Sequence, residues 1–322
     1  MEKSLDVVTF GETMVLFEPV QMFPLEYVGQ FHKHIGGAES NVSIGLTRLG
    51  HKVGWFSKLG NDPFGRYILQ FIRGEGIDTS ACLQTDEAPT GLLFKEKKSH
   101  ENLNVFYYRK HSAASLMTPQ DLDKSYIANA KFLHVTGITP ALSETCEQTV
   151  FQVMDIAKKN NTTIVFDPNL RLKLWKAEKA RAVLLKMAEQ ADVILPGLDE
   201  GTFLTGETGP EAIAAALNKD GKKTIVVKLG SEGAYYQKGE ASGFVRGYPV
   251  AQVIDPVGAG DGFAAGIISG MLRNDSLPDT LARANAIGAI TVGMHGDVEG
   301  LPREDELEQF LDNGSNNSDV NR

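Results

Sequence analysis

The segment Ile254-Asp255-Pro256-Val257-Gly258-Ala259-Gly260-Asp261-Gly262-Phe263 brings a glycine turn and a carboxylate to the start of an apolar helical stretch. Such a turn answers the needs of phosphoryl transfer to a hydroxyl, which requires donors aimed at the phosphoryl oxygens and a base at the attacking oxygen. With no side chains on Gly258 and Gly260, backbone N–H groups can approach a phosphate, and a helix opening near Gly260 adds its positive end. Asp261 then faces the nucleophile. A plain tight connection accounts for a lone glycine turn equally well, and Gly258-Ala259-Gly260 is also the first half of a dinucleotide fingerprint. Against the fingerprint, Phe263 stands at the third glycine position, the Asp261 charge opposes a pyrophosphate, and too little chain follows for a dinucleotide half.

Two further segments suit close approach to a ligand. Lys228-Leu229-Gly230-Ser231-Glu232-Gly233 leaves an apolar strand through two glycines into Ala234-Tyr235-Tyr236, where either a nucleotide or a simple strand-to-strand turn fits. Ile35-Gly36-Gly37-Ala38-Glu39-Ser40-Asn41 opens a helix with Val42, Leu46 and Leu49 on one face. With a formal net charge of −9, the chain must gather cations locally to hold an anion, which draws attention to Arg109, Lys110, Arg171, Lys173 and Lys228. Each of these also reads as a solvated surface charge or, for the arginines, a structural ion pair.

The elements that must position these groups follow from periodicity. Strand-like Phe132–Val135, Thr163–Phe166, Val193–Leu195 and Thr224–Lys228 alternate with helical stretches at Glu144–Lys159, Glu178–Gln190 and about Glu211–Asn218. Apolar strands separated by helices imply a parallel sheet covered on both faces, with ligands beyond the strands' carboxyl ends, where Asp167, Pro196, Lys228 and Asp255 fall. Asp62-Pro63 caps a helix whose apolar stripe is core. Segments of about residues 13–35 and 88–112 alternate aromatic and aliphatic residues around polar turns such as Ser99-His100-Glu101-Asn102. They predict hairpins outside the main layer that pair into a small lid, which would exclude water from a phosphoryl group. One domain over 1–312 and a fraying tail over 313–322 complete the expectation.

Composition excludes other classes. At 42% hydrophobic residues, 322 residues can bury a large core, and no basic cluster marks a nucleic-acid surface. Cys82 and Cys146 lack metal-like spacing and suit a reducing compartment. No apolar run approaches the roughly 18 residues of a membrane span, and the first residues lack a basic n-region, so the cytoplasm is expected.

The three blocks, in this order, resemble the PfkB/ribokinase family of carbohydrate kinases from Val7-Val8-Thr9-Phe10-Gly11-Glu12 to about Pro302, most specifically at Asp255–Asp261. The resemblance implies a ribokinase-like α/β fold: a central, mainly parallel sheet flanked by helices, with a small β lid. Tyr107-Tyr108-Arg109-Lys110-His111-Ser112 and Phe166-Asp167-Pro168-Asn169-Leu170-Arg171 narrow it to the members that phosphorylate 2-keto-3-deoxygluconate. Planar guanidiniums suit a sugar acid's carboxylate.

By that resemblance Asp261 is the base, and Gly258, Ala259, Gly260 and Asp261 form the anion hole. Substrate contacts fall on Gly36, Gly37, Ala38, Glu39, Ser40, Leu93, Tyr107, Arg109, Arg171, Asp261 and Asp297. Nucleotide contacts fall on Asn169, Arg171, Lys228, Gly230, Ser231, Gly233, Gly258, Gly260 and Asn285. ATP and Mg2+ are implied, with Glu200 acting indirectly at the metal, while a monovalent cation beside Asp255 is left open. Leu93 stands where relatives often carry tyrosine, His111 replaces a common glycine, and Gly197 replaces the asparagine of an N-x-x-E motif. The implied reaction moves the γ-phosphoryl of ATP to the C6 hydroxyl, with the sugar-acid epimer unresolved and a homo-oligomer expected through the lid. A fructokinase, a catalytically dead sugar binder and a nicotinamide-dependent oxidoreductase are the rival readings.

Overall fold

The computed structural model describes residues 3–98 and 103–315. The turn at Ser99–Asn102 and residues 316–322 of the expected tail lie outside them.

An eight-stranded sheet forms the centre. Its strands are β1 (Leu5–Phe10), β4 (Val53–Phe56), β9 (Ala130–Thr136), β10 (Thr163–Asp167), β11 (Val193–Ile194), β12 (Thr224–Lys228), β13 (Gly233–Lys238) and β14 (Ala241–Arg246). The spatial order is β14-β13-β12-β11-β10-β9-β1-β4. The six strands from β4 to β12 run parallel, and β13 and β14 close the far edge antiparallel. Continuous apolar strands such as β12, with Ile225, Val226 and Val227 all buried, pack on both faces, as a sheet between helix layers requires.

Helices α1 (Ala38–Arg48), α2 (Pro63–Gly74), α3 (Lys124–Ala128), α4 (Glu144–Lys159), α5 (Ala177–Gln190), α6 (Leu198–Thr205), α7 (Pro210–Leu217), α8 (Ala259–Arg273), α9 (Leu277–Thr291) and α10 (Glu304–Ser315) surround it. One apolar layer joins α4 and α5 to the sheet through Val150, Met154, Leu184 and Met187. The opposite layer joins α8 and α1 to it through Phe263, Ile267, Val42 and Leu46. Asp62 caps α2 by accepting from the N–H groups of Phe64 and Gly65, and Ile68 and Ile72 on that helix are fully buried. Among the described residues no helix is long and apolar enough to cross a membrane.

The two early hairpins meet in a separate four-stranded sheet. β2 (Met14–Pro19) and β3 (Phe31–Gly36) pair antiparallel, β7 (Leu92–Lys97) and β8 (Leu103–Tyr108) pair antiparallel, and β2 joins β7 in parallel. A short pair, β5 (Lys58–Gly60) and β6 (Leu83–Thr85), lies beside α2.

Two sequence expectations shift, and helix α6 has little signal of its own: its run, Leu198–Thr205, is short and carries Asp199, Glu200 and Gly201 among few apolar residues. Asp255 does not end a strand: β14 stops at Arg246, and the chain then crosses to α9, where the Ile254 N–H bonds the Val292 carbonyl at 2.8 Å. Helix α10 runs to Ser315, so the first three residues of the expected tail are helical.

Candidate active site

A cavity of about 390 Å³ opens where the parallel strands end and the small sheet comes down over them. Its walls come from β3 and the start of α1 (Gly36, Gly37, Ala38, Glu39, Asn41), from the small sheet (Met14, Leu93, Tyr107) and from the ends of β10 and β12 (Asp167, Lys228). The turn before α8 supplies Pro256, Val257 and Gly258, and the first turn of that helix supplies Gly260 and Asp261. A second cavity of about 400 Å³ adjoins it, lined by Gly197, Leu198, Asp199, Glu200, Lys228, Leu229, Gly230 and Glu232. Lys228 and Glu200 belong to both.

The turn is built for close approach. Gly258 sits at φ +83°, in the left-handed region, and a Cβ there would stand 2.3 Å from the Asp297 carbonyl oxygen. Among the described residues no side chain caps α8, so the N–H groups of its first turn are left for a ligand. That is a fit for phosphate oxygens.

Asp261 lies on this first turn, half-buried. Burial pushes its carboxyl up to about 7; the Asn41 hydrogen bond opposes that, the charge of Asp167 adds to it, and Arg171 pulls it back. Asn41 Nδ2 donates to Asp261 Oδ2 at 2.8 Å, while Asn41 Oδ1 is buried without a partner among the described residues. A carboxyl poised near neutrality beside an anion hole can take a proton from a hydroxyl.

The other charges pair across elements. Arg109 approaches Glu12 with Nε and Nη2 at 2.6 Å and 2.5 Å from Oε2, while the Ser112 hydroxyl donates to Glu12 Oε1. Lys228 is held by Asp167 at 2.7 Å; burial works against its charge, and Asp167 and Glu200 outweigh it, raising the ammonium above its ordinary range. Asp297 Oδ1 lies 3.0 Å from the Lys95 ammonium, and its Oδ2 lies 2.8 Å from the point where a Cβ on Gly36 would sit. Arg171 differs: it is exposed, feels Asp261 only through its charge, and forms no salt bridge among the described residues.

The structure brings most of the expected residues to these walls and leaves some off them. Ser40 turns its hydroxyl to the Gly37 carbonyl at 2.9 Å. Asn285 is buried and donates to the carbonyls of Val245 and Arg246, which fastens the end of β14 to α9 and takes its amide out of the cavity. Gly233, at φ +119°, is packed 2.1 Å from the Val245 carbonyl at the position a Cβ would take, so it serves the strand reversal. Ser231 and Ala259 stand beside the walls without lining either cavity.

Glu12 and Asn41 fall in segments noted in the sequence, but neither they nor Lys95 were assigned a role in the site there. Asn41 had a signal, being a polar residue in the first turn of a helix with an aliphatic face; Lys95 had none.

Mg2+ keeps most of its water and needs one or two carboxylates plus substrate phosphates. Among the described residues no group of three or more acids, histidines or cysteines is arranged to hold a metal alone. Glu200 receives the Leu170 N–H on Oε1 and the Gly197 N–H on Oε2, each at 2.8 Å, which suits contact through water.

A mainly parallel sheet with a small sheet over its carboxyl ends, and an open anion cradle between them, defines a ribokinase-like α/β protein. Comparison with known proteins narrows the class. Residues 4–304 match the pfkB family carbohydrate kinase pattern, and the chain belongs to that family. It is 46% identical to 2-dehydro-3-deoxygluconokinase of Bacillus subtilis, over 95% of both chains, and 36% identical to the Thermoproteus tenax protein of the same name, over 96% and 95%. An E. coli structure described as Ribokinase II in complex with ATP and Mg2+ superposes with a TM-score of 0.90 at 28% identity, covering 96% of this chain and 99% of that one.

Proposed function

We propose that this protein transfers the γ-phosphoryl of ATP to the C6 hydroxyl of 2-keto-3-deoxygluconate, giving 2-keto-3-deoxy-6-phosphogluconate. One observation carries the reading: Asp261, poised near neutrality on the uncapped first turn of α8, shares a cavity with the guanidinium of Arg171, which forms no salt bridge among the described residues. The 46% identical relative is named for the same substrate, 2-dehydro being another form of 2-keto.

In this reading Asp261 accepts the proton of the attacking hydroxyl, and the N–H groups following Gly258 receive the charge of the transferred group. Arg171 meets the sugar-acid carboxylate, and the Arg109–Glu12 pair, with Tyr107, walls the sugar end. The adjoining cavity at Gly197–Glu200 and Lys228–Gly230 takes the nucleotide, and Asn169 reaches its phosphates from the wall of the first cavity. Bound Mg2+ would neutralise phosphate charge, with Glu200 reaching it through water. Residues 1–312 act as one kinase domain with the small sheet as its lid. We also infer a homo-oligomer through that sheet, on the exposed Tyr27, Phe106 and Tyr108 around it, and a cytoplasmic setting, on the unpaired Cys82 and Cys146.

Coupled ADP release measured with 2-keto-3-deoxygluconate, its galactonate epimer, fructose, ribose and adenosine tests the assignment. A kcat/KM highest for the sugar acids is expected. Preference for fructose would make the protein a fructokinase.

A further inference from the structure

Lys95 occupies a place that composition gives no reason to expect. Side chains alternate along a strand, so Leu93 and Lys95 share one face of β7. Leu93 lines the cavity, and Lys95, one pleat further on, is 1% exposed. Its ammonium lies 2.8 Å from Asp255 Oδ2 and 3.0 Å from Asp297 Oδ1. Burial alone would drive a lysine toward its neutral form; the two carboxylates override that and hold it charged above the ordinary lysine range.

Both carboxylates belong to the frame of the anion cradle. Asp255 Oδ1 accepts the Val257 N–H at 3.1 Å and so shapes the turn that ends at Gly258. The Asp297 backbone lies directly against Gly258, as the Cβ position shows. Other ties bind the same segment to the small sheet: His34 to Glu299 at 2.6 Å, and Lys97 to His295 Nδ1 at 3.2 Å. Two bare carboxylates at this spot would repel each other, and they would repel an arriving phosphoryl group. An ammonium between them removes one of the two charges.

We propose that Lys95 is a built-in monovalent cation: its ammonium fills the position between Asp255 and Asp297 that a free potassium or ammonium ion would otherwise fill, and thereby positions the Gly258–Asp261 turn. Because Lys95 rides on β7, the small sheet that covers the sugar end also supplies the charge that sets the phosphate end. Lys95 is a positioning residue; it touches neither reactant. The kinetic part of the inference rests on the kinase reading, and the cation part does not.

The test compares wild type with Lys95→Met in KCl and in choline chloride at equal ionic strength, with NH4Cl and LiCl as further arms. The thermal midpoint is read without substrates, and kcat and KM by ADP release. Wild type is expected to respond to the salt exchange by less than about twofold in kcat, whereas Lys95→Met in choline chloride should lose about 30-fold or more in kcat with a smaller change in sugar KM. Potassium or ammonium, but not lithium, should restore about tenfold of that loss and raise the variant's midpoint. Where Lys95→Met does not accumulate as folded protein, Lys95→Gln, which keeps a hydrogen-bond donor but no charge, is read in the same way.

A wild type that needs potassium, or a variant whose midpoint and kcat both ignore it, overturns the proposal. Absence of ADP release with every sugar would instead sink the kinase reading, and the midpoints would still decide whether a cation replaces the lysine.

Discussion

Removing the Asn41 amide should move the pH at which the site becomes active. Asn41 is buried, and its Nδ2 is the one hydrogen-bond donor found on the Asp261 side chain among the described residues, at 2.8 Å. A hydrogen bond to a charged group is worth roughly 1.5–3 kcal/mol, and each pKa unit corresponds to about 1.4 kcal/mol, so its loss raises Asp261 by about one to two units. The wild-type carboxyl starts at about 7. Raised to about 8–9, it is ionised in roughly 1–10% of molecules at pH 7 instead of half, so kcat/KM for Asn41→Leu should fall about 5- to 50-fold there. The deficit should shrink steadily towards pH 9. The assay is kcat/KM by coupled ADP release from pH 5.5 to 9.5, with leucine chosen to keep the volume of the buried side chain. An unshifted acidic limb with a rate lowered equally at every pH would refute the reasoning, because Asn41 would then act on the substrate and not on the base.

Asp261→Asn should lower kcat by about 10²–10⁴-fold, the usual worth of a general base, with ATP binding retained by calorimetry. The same variant carries a stability sign: the folded carboxyl holds its proton above its unfolded value, so its favourable contribution is lost as pH rises through about 7. Its thermal midpoint should therefore exceed wild type above pH 7, and the gap should close towards pH 4. Arg171→Ala should raise KM for the sugar acid more than it lowers kcat, since its exposed guanidinium forms no salt bridge among the described residues; an unchanged KM in steady-state kinetics would remove it from the carboxylate site. Gly258→Ala meets both a left-handed φ and the Asp297 carbonyl at 2.3 Å, so it should cost about 1–3 kcal/mol in urea unfolding and abolish most turnover.

The alternation of strands and helices from β9 to β12 was legible because each element is set by near neighbours in the chain: Ser143 caps α4, and an unbroken apolar run makes β12. The glycine turn and Asp261 were legible for the same reason, as four adjacent residues carry the geometry. Where local signal is weak the sequence was silent, as at α6, or misplaced a residue, as with Asp255 at the end of a strand.

Which charges would be free and which paired was decided only by the tertiary structure. Arg109 reads in sequence as either a carboxylate ligand or a structural ion pair, and the fold pairs it with Glu12 from 97 residues away. Lys95 is one strand lysine among several until packing sets it against Asp255 and Asp297, 160 and 202 residues on. Asn41 reaches Asp261 across 220 residues. Short-range propensity and periodicity fix elements, but a buried charge takes its partner from whatever the packed sheets bring within about 3 Å, and no spacing along the chain records that distance.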